Sequence, residues 1–347
     1  MREQPIERAA ALPSLEGTAW AGLNIDRALV DVGTLLDQAA AQWGDRTAWN
    51  FIESGHEITY GQLKKQVDCF AAGLDSLGVV AGDRVGLMLP NVAEFPLAWL
   101  ALAKLRAVSV PLNPQFTARE LDFIASDTGM SFLVISDDAV PTLNESQAKR
   151  LLDRSKVVIA RDGPSEHGFE FDELLRSAAN SSYQSTPNDP RALMSIQFTS
   201  GTTGLPKGCM LTHEYWVTIG RVTSALADNP QRILADHPFH YMQNQFYLAM
   251  ALASGAELFV TRGLSRTRFL GWLRDYAIDF AWVTDALHDI PASSRDRDHA
   301  LRRAPADELE PSRHRQLQDR FALIVREYYG STEVGLGTLV PWEDDDA

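Results

Sequence analysis

The chain reads as an α/β protein in which a largely parallel sheet is covered by helices. Three observations predict this. Short apolar runs of strand length alternate with segments whose apolar residues recur at helical spacing. Capping signals stand at the start of helical segments. Hydrophobic residues make up 45% of 347 residues, which suits a large buried core and exceeds one typical domain.

The elements follow in order. Thr59 and Gln62 form a capping box, and the helix behind them places Leu63, Val67, Phe70, Leu74 and Leu77 on one face, with Gly78 as its stop. Residues 84–89 make a compact apolar strand, 93–106 a mostly apolar helix and 107–111 the next strand. Thr117 and Glu120 cap a further helix, and 132–135 is another strand. Residues 180–190 are rich in Ser, Asn and Pro and read as a linker. The pattern resumes at Leu193, with strand candidates at 193–198, 234–238 and 258–261. This βαβ rhythm implies parallel strands with crossover helices.

Composition excludes several function classes. A formal charge of −14 argues against a nucleic-acid partner, because a phosphate backbone needs a basic face. Cys69 and Cys209 are too few for a disulfide framework or a zinc site and suit a reducing cytoplasm. No apolar run reaches membrane-span length, and Met1 to Gln4 open no signal-peptide core, so a cytoplasmic protein is expected. Oligomeric state is left open.

The most informative stretch is Thr199, Ser200, Gly201, Thr202, Thr203, Gly204, Leu205, Pro206, Lys207, Gly208. Glycines permit positive φ and close backbone approach to a ligand. Successive N–H groups then form a concave nest for an anion, hydroxyls add donors, and Lys207 adds a point charge suited to phosphate. The spacing is not a Walker A loop, since Pro206 precedes the lysine and Gly208-Cys209 follow it. A solvated surface turn is the plain alternative.

At these residues the chain resembles the adenylate-forming superfamily of acyl-CoA ligases, luciferases and peptide-synthetase adenylation domains, whose signature loop is Ser-Gly-Thr-Thr-Gly-x-Pro-Lys-Gly. A second signature follows at Tyr329-Gly330-Ser331-Thr332-Glu333 and a weaker one at Pro238-Phe239-His240. Thr34-Leu35-Leu36, Ile58-Thr59-Tyr60, Gly82-Asp83-Arg84-Val85 and Val110-Pro111-Leu112-Asn113 also match. The resemblance implies the family's large N-terminal domain, with two mostly parallel sheets flanked by helices. It suggests a first α/β subdomain over residues 1–187 and a second over 188–347.

The resemblance also implies chemistry. A carboxylic acid attacks the α-phosphate of ATP, pyrophosphate leaves, and the acyl-adenylate passes its acyl group to CoA. Residues 199–207 would hold the outer phosphates, including Thr199, Ser200, Gly201, Thr202, Thr203, Gly204 and Lys207. Thr332 would meet the α-phosphate, Glu333 would help hold Mg²⁺, and Tyr329, with Gly330 and Ser331 beside it, would lie against adenine. His240 would line the acyl pocket. Tyr241, Asn244, Thr284 and Gly330 join it as candidate pocket residues, and the polar run through Gln243, Asn244 and Gln245 hints at a hydrogen-bonding substrate. The plain readings are core packing for Tyr328 and Tyr329 and a structural role for His240. His213 reads as a packing residue.

Two departures stand out. The chain reaches Ala347 soon after the second signature, so the resemblance implies that the small C-terminal domain lies outside it. Where relatives carry a small glycine-containing turn against the nucleotide, this chain reads Ala306-Asp307-Glu308-Leu309-Glu310. Facing the nucleotide, Asp307 and Glu308 would repel a polyphosphate; facing outward, they would belong to the solvated, densely charged stretch 295–320. Relatives also carry a proline in the stretch equivalent to 281–290, where Thr284 here either faces the pocket or caps a helix. The acyl-CoA ligase reading thus competes with a relative that binds acyl-AMP without forming it, or performs thioesterification only. A luciferase-like oxygenase would share every motif.

Overall fold

The computed structural model describes residue 26 and residues 28–343, except 151, 161–167, 179–182, 184–186, 188, 200–205, 285–286 and 307–308. Strands in chain order are β1 (Thr47–Phe51), β2 (His56–Thr59), β3 (Arg84–Met88), β4 (Val108–Pro111), β5 (Phe132–Ser136), β6 (Val157–Ala160), β7 (Phe169–Glu170), β8 (Leu193–Thr199), β9 (Lys207–Thr212), β10 (Arg232–Ala235), β11 (Glu257–Val260), β12 (Arg303–Ala306), β13 (Ile324–Ser331) and β14 (Gly335–Leu339).

They build two extended layers. The first is a sheet in the order β7-β6-β5-β3-β4-β8-β9, parallel except for the antiparallel β8–β9 hairpin at its edge. The second joins β2-β1-β11-β10 to β12-β13-β14 through residues 280–283, which bridge Ile233 to Phe280 and Val283 to Ala306 in parallel. Its two outer pairs, β1–β2 and β13–β14, are antiparallel. The two-sheet expectation therefore holds. The sheets do not divide the chain at residue 187, however. β8 and β9 complete the first sheet, while β1 and β2 pair into the second, so that boundary cuts through both.

Local chemistry accounts for the helices. Both expected capping boxes are present: Thr59 with Gln62 opens helix Tyr60–Ser76, and Thr117 with Glu120 opens helix Ala118–Thr128. Helix Glu94–Leu105 is buried from Phe95 onward on all sides, as its lack of a polar face requires. Its one interior cation, Lys104, has a side chain only 1% exposed and lies 2.6 Å from Asp37 and 2.5 Å from Asp68. Helices His213–Leu226 and Met242–Ser254 cross closely at Gly220, where a Cβ would stand 2.6 Å from the Ala249 backbone. Trp49, Trp99, Trp216, Phe70 and Tyr247 fill the core between these helices and the sheets. Residues 180–190 lie mostly outside the described residues.

Candidate active site

Strands β8 and β9, an antiparallel pair, flank the first signature. Thr199 and Lys207 are their last paired residues, and Lys207 is exposed at the start of the edge strand. Ser200, Gly201, Thr202, Thr203 and Gly204 lie outside the described residues. Side chains alternate along a strand, so Lys207 and Cys209 share one face of β9. Gly208 faces the other way, and a Cβ there would press on Ile196 and Phe198.

The second signature forms the β13–β14 hairpin. Ser331 pairs with Gly335, and Thr332, Glu333 and Val334 make the turn. Gly330 admits no side chain: a Cβ would sit 2.1 Å from Tyr328 Oη and 2.3 Å from the Gly335 carbonyl. Strand alternation separates the two tyrosines. Tyr328 points inward, meets Trp282 edge-to-face at 4.7 Å and donates to the Gly335 carbonyl at 2.9 Å. Tyr329 points outward and is 67% exposed. Packing therefore explains Tyr328, whereas Tyr329 offers an open ring face.

The two hairpins approach each other at Glu333 and Cys209. The Glu333 carboxylate lies beside its own backbone amide, Ser331 and Cys209. Its own backbone amide first, then Ser331, Cys209 and the Lys207 charge, stabilise the anion and hold the carboxyl below the usual range. Burial, together with Glu333, pushes the Cys209 thiol up to about 11, so the sulfur keeps its proton. Tyr215, on helix His213–Leu226, donates to the Thr332 carbonyl at 3.0 Å and touches Met242 Sδ at 3.9 Å. Its phenol is shifted upward, first by burial and then by Tyr328, Cys209 and Glu333.

Residues 236–245 form the wall behind. Gln197, on β8, donates to the His240 carbonyl at 2.5 Å, and Gln245 donates to Gln197 at 3.0 Å and to the Phe239 carbonyl at 2.8 Å. Asn244 is wholly buried, with its amide engaged on both the N–H and the carbonyl of His237. The polarity of this stretch is thus used in holding its own loop, and Asn244 presents nothing to a substrate. The His240 ring is half-buried, and burial lowers its pKa to about 4, so it is neutral. Its Nδ1 is buried and has no hydrogen-bond partner among the described residues. Tyr241 stacks obliquely on it at 4.7 Å and is otherwise exposed.

The Thr284 carbonyl accepts from the Leu287 amide, and the residue lines an open cavity of about 440 Å³ with His237, Phe269, Trp282, Leu287 and Ile290. Asp307 and Glu308 lie outside the described residues, between buried Ala306 and Leu309. Sequence reasoning missed Tyr215, Cys209, Gln197 and Trp282. Of these only Cys209 carried a signal, its two-residue offset from Lys207. Among the described residues no three His, Cys, Asp or Glu side chains gather as a metal cluster. A divalent cation here would rest on Glu333 and on ligand oxygens, a donor set that fits Mg²⁺. Among the described residues no helix is long and apolar enough to cross a membrane.

Two mostly parallel sheets, with a glycine-rich hairpin on one and a Tyr-Gly-Ser-Thr-Glu hairpin on the other, define the N-terminal domain of an adenylate-forming enzyme. The chain belongs to the AMP-binding enzyme family, which matches residues 36–347. It is 29% identical over 324 residues to a crotonobetaine/carnitine–CoA ligase of Salmonella paratyphi A, covering 88% of this chain and 62% of that protein. It is 31% identical over 219 residues to a long-chain-fatty-acid–CoA ligase of Escherichia coli, covering 55% of this chain and 38% of that one. The chain thus spans less than two thirds of the length of these relatives. In fold it is similar to the luciferase-like enzyme of the mealworm Zophobas morio, with TM-score 0.80, 20% identity and coverage of 91% and 76%. It is also similar to the N-terminal domain of FACL13 from Mycobacterium tuberculosis, with TM-score 0.75, 23% identity and coverage of 91% and 79%.

Proposed function

We propose that this chain is the nucleotide-binding part of an acyl-CoA ligase. A carboxylate oxygen of the acid bonds to the α-phosphorus of ATP as the bond to pyrophosphate breaks. The CoA sulfur then bonds to the acyl carbon, AMP leaves and the thiol proton is released. The observation that carries this reading is the meeting of Glu333 with Cys209 and the Lys207 charge across two hairpins. An anionic acid and a polyanionic nucleotide repel each other, so catalysis here is positioning and charge compensation. Lys207 and the loop before it take the outer phosphates, Thr332 the α-phosphate, and Tyr329 the adenine face. Glu333 would hold a Mg²⁺ ion, which would supply further positive charge to the phosphates. His240, neutral and with an unpartnered nitrogen, borders the acyl group beside Gly330.

A second reading is favoured by Asp307-Glu308, which stand where relatives carry a small turn: the protein accepts acyl-AMP but adenylates poorly. Two assays on the full-length protein of which this chain is the nucleotide-binding part separate the readings, namely ATP–pyrophosphate exchange with a panel of carboxylic acids and thioester formation from synthetic acyl-AMP and CoA. Exchange that is lost in Lys207→Ala supports the ligase. Thioester formation without exchange supports the second reading, and the absence of both overturns both.

A further inference from the structure

The loop that presents His240 is held by side-chain amides. Gln197, on β8, donates to the His240 carbonyl at 2.5 Å. Gln245, on helix Met242–Ser254, donates from Nε2 to the Phe239 carbonyl at 2.8 Å, to the Tyr241 carbonyl at 3.2 Å and to Gln197 Oε1 at 3.0 Å. The carbonyls of three successive residues are thus taken by two glutamines that also bind each other. Two of the three partners of the Gln245 amide are main-chain carbonyls, which only its N–H end can meet, so its orientation is fixed.

Both glutamines are buried, Gln197 being 3% and Gln245 1% exposed. Gln245 Oε1 has no hydrogen-bond partner among the described residues. Leaving a buried acceptor unpaired costs stability, and an apolar side chain of similar length would avoid that cost. Packing alone therefore does not require this pair. What the pair supplies is a fixed link. Gln197 stands opposite Cys209 and Thr199 opposite Lys207, so all four side chains lie on one face of the β8–β9 pair. The face that carries Lys207 thus also carries the amide that grips the His240 main chain. Asn91 and Asn244 anchor the neighbouring main chain at His237 and Phe239, and the glutamines act at His240 itself.

We propose that Gln197 and Gln245 are positioning residues: they fix His240 against the β8–β9 pair, so that the acyl group and the nucleotide are received in one register. This rests on the reading above that His240 borders the acyl group and Lys207 serves the phosphates. Buried as they are, the glutamines act through His240 and not on the substrate. Adenylation needs the acid oxygen close to the α-phosphorus and in line with the breaking bond, and a misplacement of about 1 Å can cost about a hundredfold.

The test is a double-mutant cycle read by calorimetry. The ligands are AMP and the tightest binder among acetyl-, butanoyl-, octanoyl- and benzoyl-sulfamoyl-adenosine, which are non-hydrolysable mimics of an acyl-adenylate. Gln197→Met keeps a flexible side chain of similar length and removes both hydrogen bonds. It should weaken the acyl analogue by about tenfold or more and AMP by less than about threefold. In a His240→Ala background, which keeps the main-chain carbonyl, the same substitution should change analogue binding by less than about threefold. Gln245→Met should behave alike, and it carries the test if thermal melting shows Gln197→Met to be unfolded. Equal losses for AMP and the analogue make the glutamines general struts and overturn the proposal. So does a full loss that persists without the His240 side chain, and so does analogue binding that neither substitution weakens. If His240→Ala itself leaves the analogue unchanged, the acyl reading fails first and the positioning role falls with it. If His240→Ala weakens the analogue selectively and the glutamine substitutions do not, only the positioning role fails.

Discussion

The Tyr215 hydroxyl donates to the Thr332 carbonyl across 3.0 Å and so ties helix His213–Leu226 to the turn that presents Glu333. Burial raises the phenol pKa, so this donor keeps its proton throughout the working pH range. Tyr215→Phe removes one hydrogen bond and should cost about 1 kcal/mol. Nucleotide affinity should fall by roughly three- to tenfold with the circular-dichroism spectrum unchanged. Unaltered affinity in calorimetry would mean that the turn holds itself.

Lys207→Ala should weaken ATP by about ten- to a hundredfold and AMP by less than about threefold, because a lysine at the start of β9 serves the outer phosphates. Calorimetry with both nucleotides checks this, and equal losses would remove Lys207 from that role.

Glu333→Gln keeps the shape of the side chain and removes its charge. The Mg²⁺ concentration giving half-maximal ATP binding should rise by about tenfold or more, since magnesium relies on few protein carboxylates. A Mg²⁺ titration at fixed ATP reads the shift. An unmoved midpoint places the cation elsewhere.

His213 sets a pH dependence of stability. Its ring is fully buried and Nδ1 accepts from the Val32 amide at 3.3 Å, an arrangement that requires the neutral ring. Burial lowers its pKa to about 4, against a smaller opposing pull from Asp31. The unfolded chain therefore takes up protons first. Stability is full above about pH 6.5 and is lost as pH falls toward 4, by on the order of 3 kcal/mol for this group. His240, also lowered to about 4 by burial, acts with the same sign. Urea melts at several pH values should show a flatter acid decline in His213→Gln, and parallel curves would refute the assignment.

Lys104→Ala leaves Asp37 and Asp68 facing each other at the helix interface. Removing one partner of a buried pair typically costs about 3–5 kcal/mol. Lys64, 2.5 Å from Asp68 and 3.6 Å from Asp37, relieves part of the repulsion, so a loss near the lower end is expected in urea unfolding. A change under about 1 kcal/mol would show that the cluster is solvated.

Local signals in the sequence carried far. The boxes at Thr59 and Thr117 set helix starts to the residue, because capping depends on atoms three positions apart. The strands at 84–88 and 132–136 followed from apolar runs of the right length. The packing role of His213 was legible too. Contacts between distant segments were not. Nothing in Asn244 announces that it closes on His237, and its polarity suggested a ligand instead. Tyr215 and Trp282 look like ordinary core aromatics until the hairpin folds against them. The pairing of β1 with β11 is equally silent, since register between distant strands leaves no local trace.

That pairing has a consequence for biosynthesis. Tyr60, just after β2, has its buried hydroxyl 2.7 Å from the carbonyl of Ala251, a residue 191 positions later. At roughly 5–20 residues per second, the ribosome delivers that partner some tens of seconds after Tyr60 has emerged. Throughout the interval β1 and β2 are a short hairpin with one whole edge unpaired and Trp49 uncovered, a species prone to stick to other nascent chains. Slow synonymous codons between the two segments should lower soluble yield, and a holdase chaperone that shields exposed hairpins should restore it.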